Sequence, residues 1–386
     1  MKTYLSLILI ALSATGTVLA QTSTNLSTVQ ADIPAKMPLV KAAEVTLTAT
    51  NDFLTNNGGT RNSTAGVAAY EMYLALDLQR VSNISGEFMA HFVSIQGTDP
   101  STRIGDSQVA SNIAMPGEVN RVTDLWYMHK WNDNSHTLFG IHDISSEFYI
   151  TESSLGFMNS SFGTGSEFAS SGQAGPSMYP ITSDGIRQHF EFDNNIWLKA
   201  GVYDADPSDH RAYSKSRGSL FITELAYQTE NKKISLGAWN YTKHFSKHDS
   251  QAEEISWGLY SLAEEKINDN MSVFARLGWA NPNVNIFQQN LALGTTYRAL
   301  FLPKMDDEIG LGMSRVDFSS AYRNALLVND NFKTFSHETA YELYYQFSPF
   351  GEIFRLRPDI QFIRHPSGAT NTPDAWVFGL RTLITI

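Results

Sequence analysis

From residue 43 onward the chain alternates apolar and polar positions in segments of about 10 residues, separated by clusters of Gly, Asn, Asp, Ser and Pro. Sixteen such segments can be drawn, near 43–52, 67–80, 86–97, 120–131, 136–146, 185–192, 195–204, 218–229, 232–244, 253–265, 270–281, 286–299, 305–317, 337–348, 354–365 and 375–386. In the last of them Trp376, Phe378, Leu380, Ile384 and Ile386 share one row, against Gly379, Arg381 and Thr385. In 337–348, Tyr341, Leu343, Tyr345 and Phe347 oppose Glu338, Glu342 and Gln346. In 270–281, Val273, Ala275, Leu277 and Trp279 oppose Ser272, Arg276 and Gly278. A row that touches lipid must be apolar because nothing there solvates a charge, whereas a row facing water holds Arg and Glu freely. A sheet with one face in a protein core and one in bulk water also alternates. It does not demand an apolar row in nearly every strand with Tyr, Trp and Phe near both ends.

The connections carry a second pattern. The even ones (81–85, 132–135, 193–194, 230–231, 266–269, 300–304, 349–353) are short. The odd ones (53–66, 98–119, 147–184, 205–217, 245–252, 318–336, 366–374) are mostly longer, with 282–285 the exception. Short turns on the periplasmic side and long loops outside, with both termini in the periplasm, produce this parity in a transmembrane barrel. No helical pattern emerges in any segment, and no stretch approaches the ~20 consecutive apolar residues a spanning helix needs. The expected fold is therefore all-β, a 16-stranded antiparallel transmembrane β-barrel over 43–386. Residues 1–20, with Lys2, an apolar centre from Leu5 to Ala14 and Val18-Leu19-Ala20, predict a signal peptide. Residues 21–42 are polar and aperiodic, and predict a periplasmic lead-in segment.

Composition narrows the functions. Apolar residues make up 42%, aromatics 12% and charged residues 17%, a charge content below the ~25% of soluble domains. There is no cysteine, which excludes disulfides, thiolate chemistry and Cys-based zinc sites. The formal charge of −11 argues against nucleic acid and anionic headgroups as partners. No nucleophile elbow, HExxH or Walker sequence occurs, and no cofactor is implied. His189 and Glu191 could pair as a base only across the ~7 Å that separates alternate residues of a strand. Asp204 and Asp206 read as a turn in preference to a metal site.

The chemistry that remains lies on the inward row. Strand parity places Glu71, Tyr73 and Asp77 there, with Arg187, His189 and Glu191, then Trp197, Lys199 and Tyr203, then Trp239 and Tyr241. Arg276, Arg298, Arg355, Arg357 and Arg381 complete it. Sugars present hydroxyls, which Arg and carboxylates hydrogen-bond, and C–H patches, on which Trp and Tyr rings pack. For any single Arg a charge ladder that shapes the wall is an equal reading. Seven inward glycines (Gly201, Gly237, Gly258, Gly278, Gly294, Gly310, Gly312) suggest an open interior. The longest connection, 147–184, is rich in Gly and Ser and follows the fifth strand. It faces either the medium or the lumen.

The runs FMNSSFG at 157–163, PSMYPITSDGIR at 176–187, LKAGVYDADP at 198–207, RPDIQFIRHPSG at 357–368 and AWVFGLRTLITI at 375–386 resemble the carbohydrate-selective porin (OprB) family in order and spacing. The resemblance implies a sixteen-stranded porin for monosaccharides in the Gram-negative outer membrane, with a long third extracellular loop folded into the lumen. Phe157, Asn159, Phe162, Glu167 and Tyr179 are then placed to line a constriction. It also implies contact with outer-membrane lipid and lipopolysaccharide, insertion by the barrel-assembly machinery, and a barrel for which monomer and homotrimer both stay open. Two departures are Ile386, where the family ends in an aromatic, and Asp204-Ala205-Asp206-Pro207 in place of a Gly-containing turn. The functional expectation is passive, substrate-selective diffusion of small, glucose-like carbohydrates. Its rivals are a general or carboxylate-selective porin and a closed structural or adhesive surface barrel.

Overall fold

The computed structural model describes residues 42–386 apart from 194, 209–214 and 331. The expected signal peptide and all but the last residue of the lead-in segment lie outside the described residues. The strands are Ala43–Asn57 (β1), Ser63–Asp77 (β2), Gly86–Gly97 (β3), Val119–Asn132 (β4), Ser135–His142 (β5), Ser183–Glu191 (β6), Ile196–Asp204 (β7) and Ser219–Gln228 (β8). They continue with Lys232–Ser246 (β9), Glu253–Lys266 (β10), Met271–Ala280 (β11), Phe287–Arg298 (β12), Glu308–Phe318 (β13), His337–Gln346 (β14), Phe354–Arg364 (β15) and Ala375–Thr385 (β16). Each pairs antiparallel with its neighbour in sequence, and β1 pairs with β16, from Thr48↔Thr385 to Asn57↔Trp376. The sheet is therefore a closed barrel with no free edge. Closure lets every backbone N–H and C=O find a partner in a medium that offers none.

The period-2 rows fall as the pattern demands. Outward stand Leu236, Leu259, Trp279, Tyr341, Leu343, Trp376 and Phe378, all exposed on a surface that faces lipid in a barrel of this kind. Inward and buried stand Arg187, Glu224, Arg276, Glu342, Gln361 and Arg381.

Four local expectations are corrected. The first connection is a five-residue turn, 58–62, and not 53–66, because β1 runs on to Asn57. Asn56 Nδ2 braces it by donating to Gly58 O at 2.7 Å and Arg61 O at 3.0 Å. Gly58 and Gly59 take φ of +93° and +74°, and their α-carbons abut the backbones of Asp374 and Ile104, so no side chain fits at either. β5 stops at His142 because Asp143 Oδ1 accepts from Ser145 N at 2.8 Å and caps a short turn at Ile144–Ser146. β2 stops at Asp77, which caps Leu78–Ser82 in the same way. The connection 319–336 holds a helix, Ser320–Asp330, where no helical pattern was expected. Ser319 Oγ accepts from Tyr322 N at 3.2 Å, as an N-cap does, and the Tyr322 ring packs near Phe318 and His248.

The inward glycines do not open the interior, contrary to expectation. Rings cover them: Tyr260 lies over Gly237, Trp239 over Gly258, Phe274 over Gly294, Tyr344 over Gly310, and Phe162 with Phe157 over Gly312. Gly201 is covered by Tyr203 and Gly278 by the Glu167 carboxyl. Each glycine makes room for a neighbour's side chain laid flat along the wall.

Candidate transport pathway

The connection 143–182 runs along the inward side chains of β7 to β15, held mainly by its backbone. Glu224 Oε2 accepts from Tyr149 N at 2.8 Å, and Glu264 accepts from Glu152 N at 3.0 Å and from Ser153 N. Glu342 accepts from Asn159 N at 2.9 Å and from Met158 N. Arg276 donates to Ser161 O at 2.9 Å and to Gly163 O, and Asn159 Nδ2 donates to Gln361 Oε1 at 3.2 Å. Glu147 sits in the same segment against Arg187 and Lys199, the latter at 3.2 Å. Burial alone would push the Glu147 carboxyl up. Arg187, Lys199 and His142 override it and hold the group well below the usual carboxylate range.

The connection 98–118 joins it from the other side. Asn112 N donates to Met158 O at 2.7 Å, Ser160 N to Val109 O at 2.9 Å, and Gln361 Nε2 to Ala110 O at 2.8 Å. Arg381 forms a two-pronged pair with Asp52, both contacts at 2.7 Å, and donates to Asn112 Oδ1 at 2.7 Å. Charge-assisted forks of this kind fix a guanidinium plane firmly.

Two cavities open to solvent flank the 143–182 segment. The first, about 950 Å³, is bordered by Thr50, Asn112, Tyr179, Arg357 and Arg381 together with the segment itself. The second, about 1730 Å³, lies toward the short turns and is bordered by His136, His189, Glu191, Trp197, Lys199, Lys233 and Glu264. Ile150 and Leu155 border both.

Of the expected pathway residues, Tyr179, Phe157, Arg357 and Arg381 border the first cavity, and His189, Glu191, Trp197 and Lys199 the second. The others border neither. Glu71 accepts from Thr48 Oγ1 at 3.0 Å and from Tyr73 at 3.1 Å, beside His91. Asp77 caps a helix at the rim, and Arg298 pairs with Glu308 at 2.8 Å at the same end. Arg187 and Arg276 are spent on the loop, Trp239 packs against Phe168, and Arg355 is buried in β15. Trp197 offers little free ring face: Lys199 Nζ and Lys233 Nζ lie 5.0 and 5.4 Å from its centroid.

The constriction set is corrected in part. Phe162 stacks on Phe157 at 4.3 Å, both pack edge-on to Phe274, and Phe157 also meets Tyr344, so these rings glue the loop to the wall. Asn159 is buried and bonds inside the loop through Ser161. Glu167 is buried over Gly278, where burial pushes its carboxyl up to about 7. Asp204 is paired with Arg217, which holds it by Nε at 2.9 Å and Nη2 at 2.6 Å.

The sequence profile of the carbohydrate-selective porin, OprB family, matches residues 63–386. The chain belongs to that family. This porin is an outer-membrane β-barrel and a channel, not an enzyme. It is 22% identical over 317 residues to Porin B of Pseudomonas aeruginosa, an alignment covering 69% of this chain and 68% of that one. It is 24% identical over 331 residues to the putative porin QuiX of Acinetobacter baylyi, covering 73% and 72%. Among solved structures, the high-pH form of Pseudomonas putida OprB superposes with a TM-score of 0.81 at 18% identity, over 89% of this chain and 94% of that one. The outer-membrane channel DcaP of Acinetobacter baumannii shares the barrel at 9% identity and a TM-score of 0.56, covering 89% and 97%.

Sequence reasoning missed several groups that shape the porin's passage: Asp52, Asn112, Glu147, Glu224 and Glu264. Parity carried a signal for some. Asp52, Glu224 and Glu264 share the inward parity of their strands. Nothing in the local pattern told that their partners would be loop N–H groups.

Proposed function

We propose that this porin passes small neutral carbohydrates, glucose-like monosaccharides foremost, down their own gradient, and that segment 143–182 constricts the passage. The observation that carries this reading is the first cavity, where the Arg381 fork, the Asn112 amide and the Tyr179 ring border one solvent-filled space. Guanidinium and amide suit sugar hydroxyls, and a ring face suits the C–H side. The rival preference for carboxylate-bearing solutes needs uncompensated positive charge. Here Arg381 meets Asp52, Arg187 meets Glu147, Arg298 meets Glu308, and Arg357 donates to Gln346 at 3.1 Å. The three guanidinium groups paired with carboxylates keep their donor geometry while their charge is balanced, which favours a neutral polyol; Arg357, held by a neutral amide, is not balanced in this way. A transport site must also release its solute, and shared donors bind weakly enough to do so.

The test is ion current through the purified porin in planar bilayers. Added glucose should reduce the current in proportion to its occupancy, and liposome swelling should rank monosaccharides ahead of charged sugar acids. Current indifferent to every sugar tried, with a reversal potential set by anions, would overturn the proposal.

A further inference from the structure

The tip of the 143–182 segment is held under strain. Tyr149 has a φ of +61°, a conformation that a bulky residue takes only where its surroundings enforce it. Three contacts with the wall enforce it here. Glu224 takes the Tyr149 N–H, the Tyr149 ring stacks on Tyr260 with centroids 4.0 Å apart, and Lys233 Nζ donates to Ile150 O at 3.0 Å. One turn later both oxygens of Glu264 take the N–H groups of Glu152 and Ser153. The backbone polar groups of this tip are thereby directed at the wall. Ile150 and Leu155, the residues bordering both cavities, are apolar.

We propose that Ile150 and Leu155 form an apolar lip between two polar chambers, and that Glu264, assisted by Lys233, is the positioning residue that holds it in place. This deepens the sugar-channel reading and rests on it: the lip is the element that selects size and charge. An ion must shed hydration at an apolar constriction that returns nothing, a cost far above that of a neutral polyol. The polyol loses only a few hydrogen bonds, and Asn112 and Arg381 on one side offer replacements before it arrives.

The absence of cysteine makes the lip directly testable in the full chain. Leu155→Cys and, separately, Ile150→Cys are placed in planar bilayers and exposed to a cationic methanethiosulfonate reagent in salt alone. Both should lose roughly half or more of their conductance on modification, since the added group narrows the tightest point. Leu343→Cys, on the outward row, should lose none. Ile150→Ala with Leu155→Ala should raise conductance roughly two-fold and lower the glucose-to-gluconate flux ratio several-fold. Glu264→Gln should shift the same ratio in the same direction with unchanged barrel yield, which a purely structural role would not do. Modification of both cysteines without loss of current, or an unchanged flux ratio in the alanine and Gln variants, would overturn the lip. Because the cysteine assay uses no sugar, reagent block without glucose block would uphold the lip and sink the sugar reading instead.

Discussion

Inside this barrel many charged side chains meet a partner that consumes their charge, and Glu167 is one where burial dominates instead, which pH should reveal. Its carboxyl is fully covered and raised to about 7 from 4.5 by burial. At low pH the group is neutral in folded and unfolded chains alike and costs nothing. Between 4.5 and about 7 the unfolded chain gives up the proton while the folded chain keeps it, so stability falls as pH rises and the full loss is present above about 7. The loss is about 3 kcal/mol. Glu167→Gln should therefore unfold at higher urea than the parent at about pH 8 and at similar urea at about pH 4, measured by tryptophan fluorescence in detergent. Equal midpoints at both would remove the argument. At this scale the sequence was readable only in part. Parity located Arg187 and Arg381 on the inner row, because lipid tolerates neither. It said nothing of the loop, where no period exists, and so Phe162 was assigned to the passage when it packs on Phe157 and Phe274.

Among elements, the recurring device is a wall carboxylate that grips two successive loop N–H groups. Glu342 does this for Met158 and Asn159, and Glu264 for Glu152 and Ser153. Two charge-assisted bonds per carboxylate make each grip strong, at about 1.5–3 kcal/mol per bond. Glu342→Ala should release the 156–162 run while leaving β14 paired on both sides. Limited proteolysis of the folded variant should then cut within that run, where the parent resists. Resistance equal to the parent would show that the aromatic cluster alone holds it. The strands themselves were legible because lipid enforces an apolar row whatever the partner strand. The grips were not. Met158 N and Glu342 stand 184 positions apart, and a contact that distant leaves no periodic trace. The helix Ser320–Asp330 escaped notice for a local reason: most of its apolar residues run together from Ala325 to Val328 and mark no single helical face.

At the scale of the molecule the deciding event is closure, which joins β1 to β16. Asp52 lies directly across from Arg381 in that ladder, 329 positions away along the chain. Thr50 and Leu383 are likewise opposite, both facing inward. Thr50→Cys with Leu383→Cys should therefore form a disulfide in the assembled barrel, visible on a non-reducing gel. The yield should drop when Asp52→Ala and Arg381→Met are added, and an undiminished yield would mean that the ion pair does not define the seam. Should it hold, the pair acts as a checksum on assembly. A slip of one residue would drive an anion and a cation into oil, and a slip of two would strand each beside the wrong neighbour. The last seam to zip would then be the one that rejects an ill-matched ring.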